Sequence, residues 1–87
     1  MDFNNLKPAN MEIKVLGTGC KKCKTLEKLT FQAVEELGIT ADIIKIDDIV
    51  EIMQFGVMTT PALVINNKVV LKGKVPSINE LKQIISQ

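Results

Sequence analysis

The sequence predicts one α/β domain, with a mixed four-stranded sheet and helices on both faces. Runs of alternating or continuous apolar residues mark the strands, and apolar residues at three- and four-residue steps mark the helices. The predicted order is β-α-β-α-β-β-α. A β-α-β opening implies a parallel strand pair with a right-handed crossover, and the later hairpin adds an antiparallel pair. The length of 87 residues fits one domain.

The first strand is predicted in MEIKVLG, where Ile13 and Val15 lie on one face. It runs into the turn GTG, and the pattern predicts a helix from Cys20 to Leu37. Gly38 stands where a left-handed C-terminal cap belongs.

The middle of the chain predicts a second strand and a short helix. The isoleucine-rich segment ADIIKID is the strand. Either Asp47 or Asp48 can cap the following helix, DIVEIMQF, which we expect to stop at Gly56.

The C-terminal third predicts a hairpin followed by a helix. Two strands flank Asn66–Asn67, and asparagine tolerates the positive φ that a tight turn requires. The last helix lies in PSINELKQIISQ, where Ser77 and Glu80 have the spacing of a capping box.

Composition excludes several function classes. A net charge of +1 gives no general attraction to nucleic acid or anionic lipid, and no apolar run could span a bilayer. The absence of histidine excludes Cys-His and Ser-His-Asp catalysis and a Cys/His zinc site. Residues 1–10 are polar, so we expect a flexible extension before a domain at 11–87. They do not resemble a secretory signal, so we expect a cytoplasmic location.

The two cysteines lie in KVLGTGCKKC, at the junction of a strand and a helix. Cys20 and Cys23 are three residues apart, so a small adjustment in the first helical turn would close a disulfide. Unpaired N–H groups and the helix dipole would stabilise a thiolate at Cys20. Lys21, Lys22 and Lys24 add positive charge within the same turn, so we expect them to lower its pKa further.

These features favour a redox pair, with Cys20 as the nucleophile and Cys23 as the resolving thiol. Gly17 and Gly19 are expected to leave room for a partner chain. Two alternatives stay open: a soft-metal site for an ion such as Cu(I), and two small buried residues. The lysines could equally form an ordinary solvated helix face.

A second signal is TTPAL, where Pro61 opens a predicted strand. Proline lacks a backbone donor, so it is expected at a strand start, an edge or a bulge. The Thr60–Pro61 bond is therefore a candidate for the cis form, with an ordinary turn proline as the alternative.

Together, GTGCKKC and the segment TTPALVINNKVV about forty residues later resemble the thioredoxin-like superfamily. The closest resemblance is to its small, glutaredoxin-sized branch of redox-active disulfide proteins. The resemblance extends from Glu12 to the C-terminal helix. It implies a thioredoxin-like fold, in which a cis Thr60–Pro61 faces the cysteines and pairs with substrate backbone. It also implies that Gly73 leaves space beside the site. Gly19 is counted with these substrate-binding residues because its small size leaves room for a partner chain.

The chain departs from thioredoxin at three places. Lys21–Lys22 replaces Gly-Pro between the cysteines, and Gly19 replaces an aromatic residue before them. Thioredoxin also carries a buried carboxylate on the strand that enters the motif, and in this chain Lys14 lies nearest the equivalent position.

The resulting prediction is a thiol-disulfide oxidoreductase that reduces or exchanges disulfides in a partner protein. Its redox group would be the Cys20–Cys23 disulfide, with no metal or other cofactor. An external reductase or a small thiol would restore the dithiol. We expect a monomer without nucleic-acid or membrane partners. The alternatives are a Cu(I)-type binding module and a docking domain whose thiols matter little.

Overall fold

A computed structural model describes residues 11–86, and its elements follow the predicted order. The extension predicted for residues 1–10 lies outside the described residues, as does Gln87. The strands are β1 (Met11–Leu16), β2 (Ala41–Ile46), β3 (Ala62–Ile65) and β4 (Lys68–Lys72). The helices are α1 (Lys21–Leu37), α2 (Ile49–Gln54) and α3 (Ile78–Ile85).

The four strands form one mixed sheet in the order β2-β1-β3-β4. β1 is parallel to β2 and antiparallel to β3, and β3 is antiparallel to β4. As a result β1, β2 and β4 end, and β3 begins, at the same side of the sheet. We call this side the loop edge; it is defined by Leu16, Ile46, Ala62 and Lys72, which are neighbours in register.

Apolar side chains form a separate core on each face of the sheet. The core beneath α1 and α3 contains Ile13, Val15, Leu26, Ala33, Leu63, Leu71, Leu81 and Ile85. The core beneath α2 contains Leu16, Ile46, Ile52, Val57, Ala62 and Val64. Side chains of a strand alternate between faces, so β1 and β3 contribute to both cores. The predicted fold, with a mixed sheet and helices on both faces, is confirmed.

The ends of α1 agree with the predicted capping signals to within one residue. Cys20 has extended backbone angles, φ −70° and ψ 169°, so the helix begins at Lys21. At the other end, Gly38 adopts φ 66° and ψ 26°, and its N–H donates to the carbonyl of Glu35. Glycine has no Cβ to oppose this left-handed conformation.

The two shorter helices are capped by side-chain oxygens. Asp48, one of the two predicted caps, accepts a bond from the Val50 N–H at 3.1 Å. Ser77 Oγ accepts from the Glu80 N–H at 3.2 Å. The other half of the predicted capping box is replaced, because the Glu80 carboxylate pairs with Lys74 at 3.4 Å.

The hairpin between β3 and β4 turns at Asn66 and Asn67, as predicted. Their φ angles are 51° and 68°, the pair of positive values that a tight two-residue hairpin needs. Asn66 Oδ1 also accepts from the Glu12 N–H at 2.9 Å, which links the turn to β1.

None of the three helices in residues 11–86 has both the length and the apolar character needed to cross a membrane.

Ile52 should make the largest contribution of α2 to stability, because its exposed fraction is only 1%. We expect Ile52→Ala to lower the free energy of unfolding by about 2–5 kcal/mol. Ile49→Ala is the matched control on the same helix, since Ile49 is 55% exposed. That change should cost much less, about 0.5 kcal/mol or below. Urea denaturation followed by circular dichroism measures both free energies of unfolding. Equal losses in the two variants would contradict the packing of Ile52 in the core beneath α2.

Candidate active site

Cys20 is the N-cap of α1, and its thiol is exposed. Its Sγ accepts a hydrogen bond from the Cys23 N–H at 3.3 Å. Helix N-caps are usually oxygen-bearing side chains, which accept from the unpaired amides of the first turn. Here a sulfur takes that position, so the amides that would bind a capping oxygen point toward the Cys20 thiol.

Cys23 lies one turn into the helix and is 3% exposed. It rests against Gly17, the residue that directly follows β1. A Cβ on Gly17 would lie 2.7 Å from Cys23 Cβ and closer still to its Sγ. Gly17 is itself buried, and its N–H donates to the Ile46 carbonyl at 2.9 Å. The expectation that Gly17 leaves room for a partner chain is therefore wrong: it leaves room for the buried thiol.

The surroundings lower the pKa of Cys20 from its ordinary value. The largest cause is the hydrogen bond with the Cys23 side chain, and the Cys23 backbone N–H is the second. Partial desolvation opposes both, while the Lys22 backbone N–H adds a smaller lowering. The predicted effect of the Lys21 and Lys22 ammonium charges is not among these causes. Both side chains are exposed, so water and salt screen their charge.

The second wall of the site is the start of β3. The Thr60–Pro61 peptide bond is cis, Thr60 is half-buried and Pro61 is buried. Leu16 of β1 pairs with Ala62 of β3. One further step of this antiparallel register places Gly17 opposite Pro61. Since Cys23 packs on Gly17, the proline and the cysteine motif meet at the loop edge.

Gly73, the first residue after β4, is tied to the same wall. Its N–H donates to the Pro61 carbonyl at 2.8 Å, and its φ of 79° favours glycine. A Cβ here would lie 3.3 Å from Thr59 Cγ2. Gly19 also has a positive φ, 95°, but a Cβ there would meet no atom within 4 Å. Gly19 therefore borders open space, in contrast to Gly17.

A shallow groove of about 380 Å³ lies beside the cysteine motif. Its lining consists of Lys21, Lys22, Thr25, Gly73, Lys74 and Val75. The structure thus brings together the predicted lysines and the predicted glycine. Thr25, Lys74 and Val75 were not predicted. Thr25 could have been found from its position one helical turn after Lys21.

Lys14, the β1 residue nearest the position of the buried carboxylate in thioredoxin, is half-buried. Its ammonium lies 3.6 Å from Glu12 Oε1 and 5.1 Å from the centroid of the Phe55 ring. The second distance is within the range of a cation-π interaction. Lys14 is therefore held by one carboxylate and one aromatic ring.

An exposed capping cysteine, a buried second cysteine and an adjoining cis-proline are the features of the thioredoxin-like class of redox domains. A family model described as a thioredoxin domain matches residues 11–86. The chain belongs to the thioredoxin family.

Two relatives that are named thioredoxins agree with the assignment to this family. The chain is 42% identical over 71 residues to a thioredoxin of Methanocaldococcus jannaschii, covering 82% of this chain and 81% of that protein. It is 40% identical over 76 residues to a thioredoxin of Methanothermobacter thermautotrophicus, covering 87% and 99%. The chain is accordingly a dithiol-disulfide oxidoreductase with a Cys-x-x-Cys motif.

Solved structures show the same fold at lower identity. A thioredoxin-2, described as a component of malaria parasite protein secretion machinery, superposes with a TM-score of 0.69 at 17% identity. The match covers 88% of this chain and 82% of the other. A second structure, described as a malarial protein, gives the same TM-score and identity and is covered to 94%.

The soft-metal alternative is not favoured by the family assignment. Within residues 11–86, no group of three or more His, Cys, Asp or Glu side chains is arranged to hold a metal ion. Family membership implies disulfide-containing protein substrates and a reductase that restores the dithiol.

Gly17→Ala tests the packing of the buried thiol. A methyl group would overlap Cys23, so we expect the reduced protein to lose about 1–3 kcal/mol of unfolding free energy. Thr18→Ala changes an exposed neighbour and should alter stability by no more than about 0.5 kcal/mol. Urea denaturation under reducing conditions gives both values. An unchanged Gly17→Ala variant would show that the glycine does not accommodate Cys23.

The pH dependence of Cys20 alkylation tests what lowers its pKa. With a lowered pKa, the thiolate persists as pH falls, so reaction with iodoacetamide should be half-maximal at a lower pH than for an ordinary thiol. Cys23→Ala removes the largest cause and should move that midpoint to higher pH. Lys21→Gln/Lys22→Gln leaves the backbone amides in place and should move it less. A larger shift of the midpoint in the lysine variant than in Cys23→Ala would show that the lysine charges are the main cause of the lowered pKa of Cys20.

Proposed function

We propose that Cys20 is the nucleophile that attacks a disulfide in a partner protein. Its exposure, its position at the helix start and its lowered pKa support this role. The Cys20 thiolate would bond to one substrate sulfur, the substrate S–S bond would break, and the other substrate sulfur would leave as a thiolate. The lowered pKa increases the thiolate fraction near neutral pH with a modest loss of intrinsic nucleophilicity.

Cys23 is the resolving thiol in this proposal. It is buried, within hydrogen-bonding reach of Cys20, and three residues along the chain. As a thiolate it would attack Cys20 Sγ, form the intramolecular disulfide and release the second substrate sulfur. Two electrons and two protons pass from the dithiol to the substrate, which leaves as two thiols. Burial of Cys23 keeps outside reagents from it until the mixed disulfide has formed.

The substrate segment is proposed to lie along Thr60, with Gly19, Pro61 and Gly73 around it. Within the described residues, the backbone N–H and carbonyl of Thr60 have no backbone partner. Unpaired groups beside a sheet are suited to bind an extended peptide by strand addition. Gly19 leaves open space on one side, and Gly73 holds the Pro61 carbonyl on the other.

The proposal also includes the oligomeric state, the location and the reductant of the protein. The protein works as a monomer in the cytoplasm, without a metal or other cofactor. Its Cys20–Cys23 disulfide is returned to the dithiol by an external reductase or a small thiol.

The main observation behind this proposal is an exposed Cys20 thiol in hydrogen-bonding contact with the buried Cys23, and a trapping experiment tests the proposal. Cys23→Ser should accumulate a mixed disulfide through Cys20, because no thiol remains to resolve it. Cys20→Ser is the matched control and should trap nothing. Both variants should lose insulin-disulfide reduction. Non-reducing electrophoresis and intact mass measure the adduct.

Capture by Cys20→Ser in place of Cys23→Ser would reverse the two assignments. Failure of the unmodified protein to reduce insulin, together with failure of Cys23→Ser to trap any disulfide, would reject the proposed cycle.

A further inference from the structure

The loop edge has opposite charges at its two ends. Asp47 and Asp48 follow β2 at one end, and Lys74 follows β4 at the other. Three strand spacings separate these ends, about 14 Å at the usual inter-strand distance. That separation exceeds the Debye length of about 10 Å at 0.1 M salt, so each end acts on its own part of a bound segment.

The basic end is strengthened by the start of α1. Lys21 and Lys22 line the same groove as Lys74, and both side chains are exposed. Within residues 11–86, neither has a carboxylate within salt-bridge distance. Lys74 pairs with Glu80 at 3.4 Å, but the two side chains are 60% and 49% exposed, and such surface pairs are weak.

This groove is continuous with the proposed substrate path. Lys21 directly follows the nucleophile Cys20, and Gly73 donates to the carbonyl of Pro61. A segment that pairs with Thr60 would therefore extend over the groove. Its lining also includes Val75, a half-buried apolar residue, so the groove offers aliphatic contact beneath a basic rim.

We propose that the groove selects protein substrates in which an acidic segment adjoins the disulfide. This inference rests on the proposed function of Cys20. Carboxylates in the groove would meet the ammonium groups of Lys21, Lys22 and Lys74, whereas Asp47 and Asp48 repel acidic residues at the far end. The same arrangement disfavours a basic segment in the groove. The net charge of +1 is too small to produce this preference without local asymmetry.

Three disulfide-linked peptide dimers of equal length, with Glu, Gln or Lys around the cysteine, provide the test. The reduced protein is mixed with each in single turnover, and thiol release is followed by stopped flow. Rates are divided by those with dithiothreitol, which removes differences in peptide thiol chemistry. At about 100 mM salt, we expect the acidic peptide to react about three- to tenfold faster than the neutral one. The basic peptide should be slowest, and about 500 mM salt should remove most of the difference.

Two variants of equal net charge separate a local effect from a general one. Lys22→Gln/Lys74→Gln should reduce the acidic-to-neutral ratio to about twofold or less. Lys28→Gln/Lys68→Gln changes two exposed lysines that do not line the groove and should keep the ratio. Because the readout is a ratio, any change in Cys20 reactivity cancels.

Equal rates for acidic and neutral peptides, or equal loss of the ratio in both variants, would overturn the inference. If the unmodified protein reduces none of the peptides, the proposed function fails. If it reduces the neutral peptide without preferring the acidic one, only the groove's selectivity fails.

Discussion

The buried thiol of Cys23 rests against the backbone of Gly17, a contact that no other residue at position 17 would permit. This contact sets how closely the start of α1 approaches the end of β1. Gly17 is held in turn by its bond to the Ile46 carbonyl, so the thiol packs on the sheet rather than on a free loop. Because Cys23 is fixed in this way, Cys20 is left at the surface as the cap of the helix. The close approach of Cys23 to Gly17 therefore explains why one thiol of the motif is buried and the other is exposed.

The position of the cis Thr60–Pro61 bond beside the cysteine motif depends on the order of the strands. β3 lies beside β1, and their register brings the start of β3 to the end of β1. Pro61 has no N–H to offer, so its position at a strand start leaves no donor unpaired. Gly73 then secures the Pro61 carbonyl from the next strand. The mixed sheet thus assembles residues about forty positions apart in sequence without any contribution from a long loop.

Local signals in the sequence were sufficient to predict the elements and most of their ends. Gly38, Ser77 and Asn66–Asn67 each act through their own backbone or the first turn of a helix, so their roles could be predicted from neighbouring residues. The role of Gly17 could not, because it depends on the distance between a turn and a helix. The bond from Gly73 to Pro61 is likewise a product of strand pairing. Roles that arise from packing between distant segments require the structure.

The lysines of the motif were predicted to lower the pKa of Cys20. In the structure, the causes that lower this pKa are hydrogen bonds and not the lysine charges. A thiol at a helix cap receives fixed hydrogen bonds from amides and from its neighbouring thiol, which salt does not screen. Exposed ammonium groups are flexible and screened, so they are poorly suited to holding a pKa. The same exposure makes them suited to meeting charges on another molecule. Reactivity can thus be built into the backbone at Cys20, while Lys21 and Lys22 remain available for choosing the substrate.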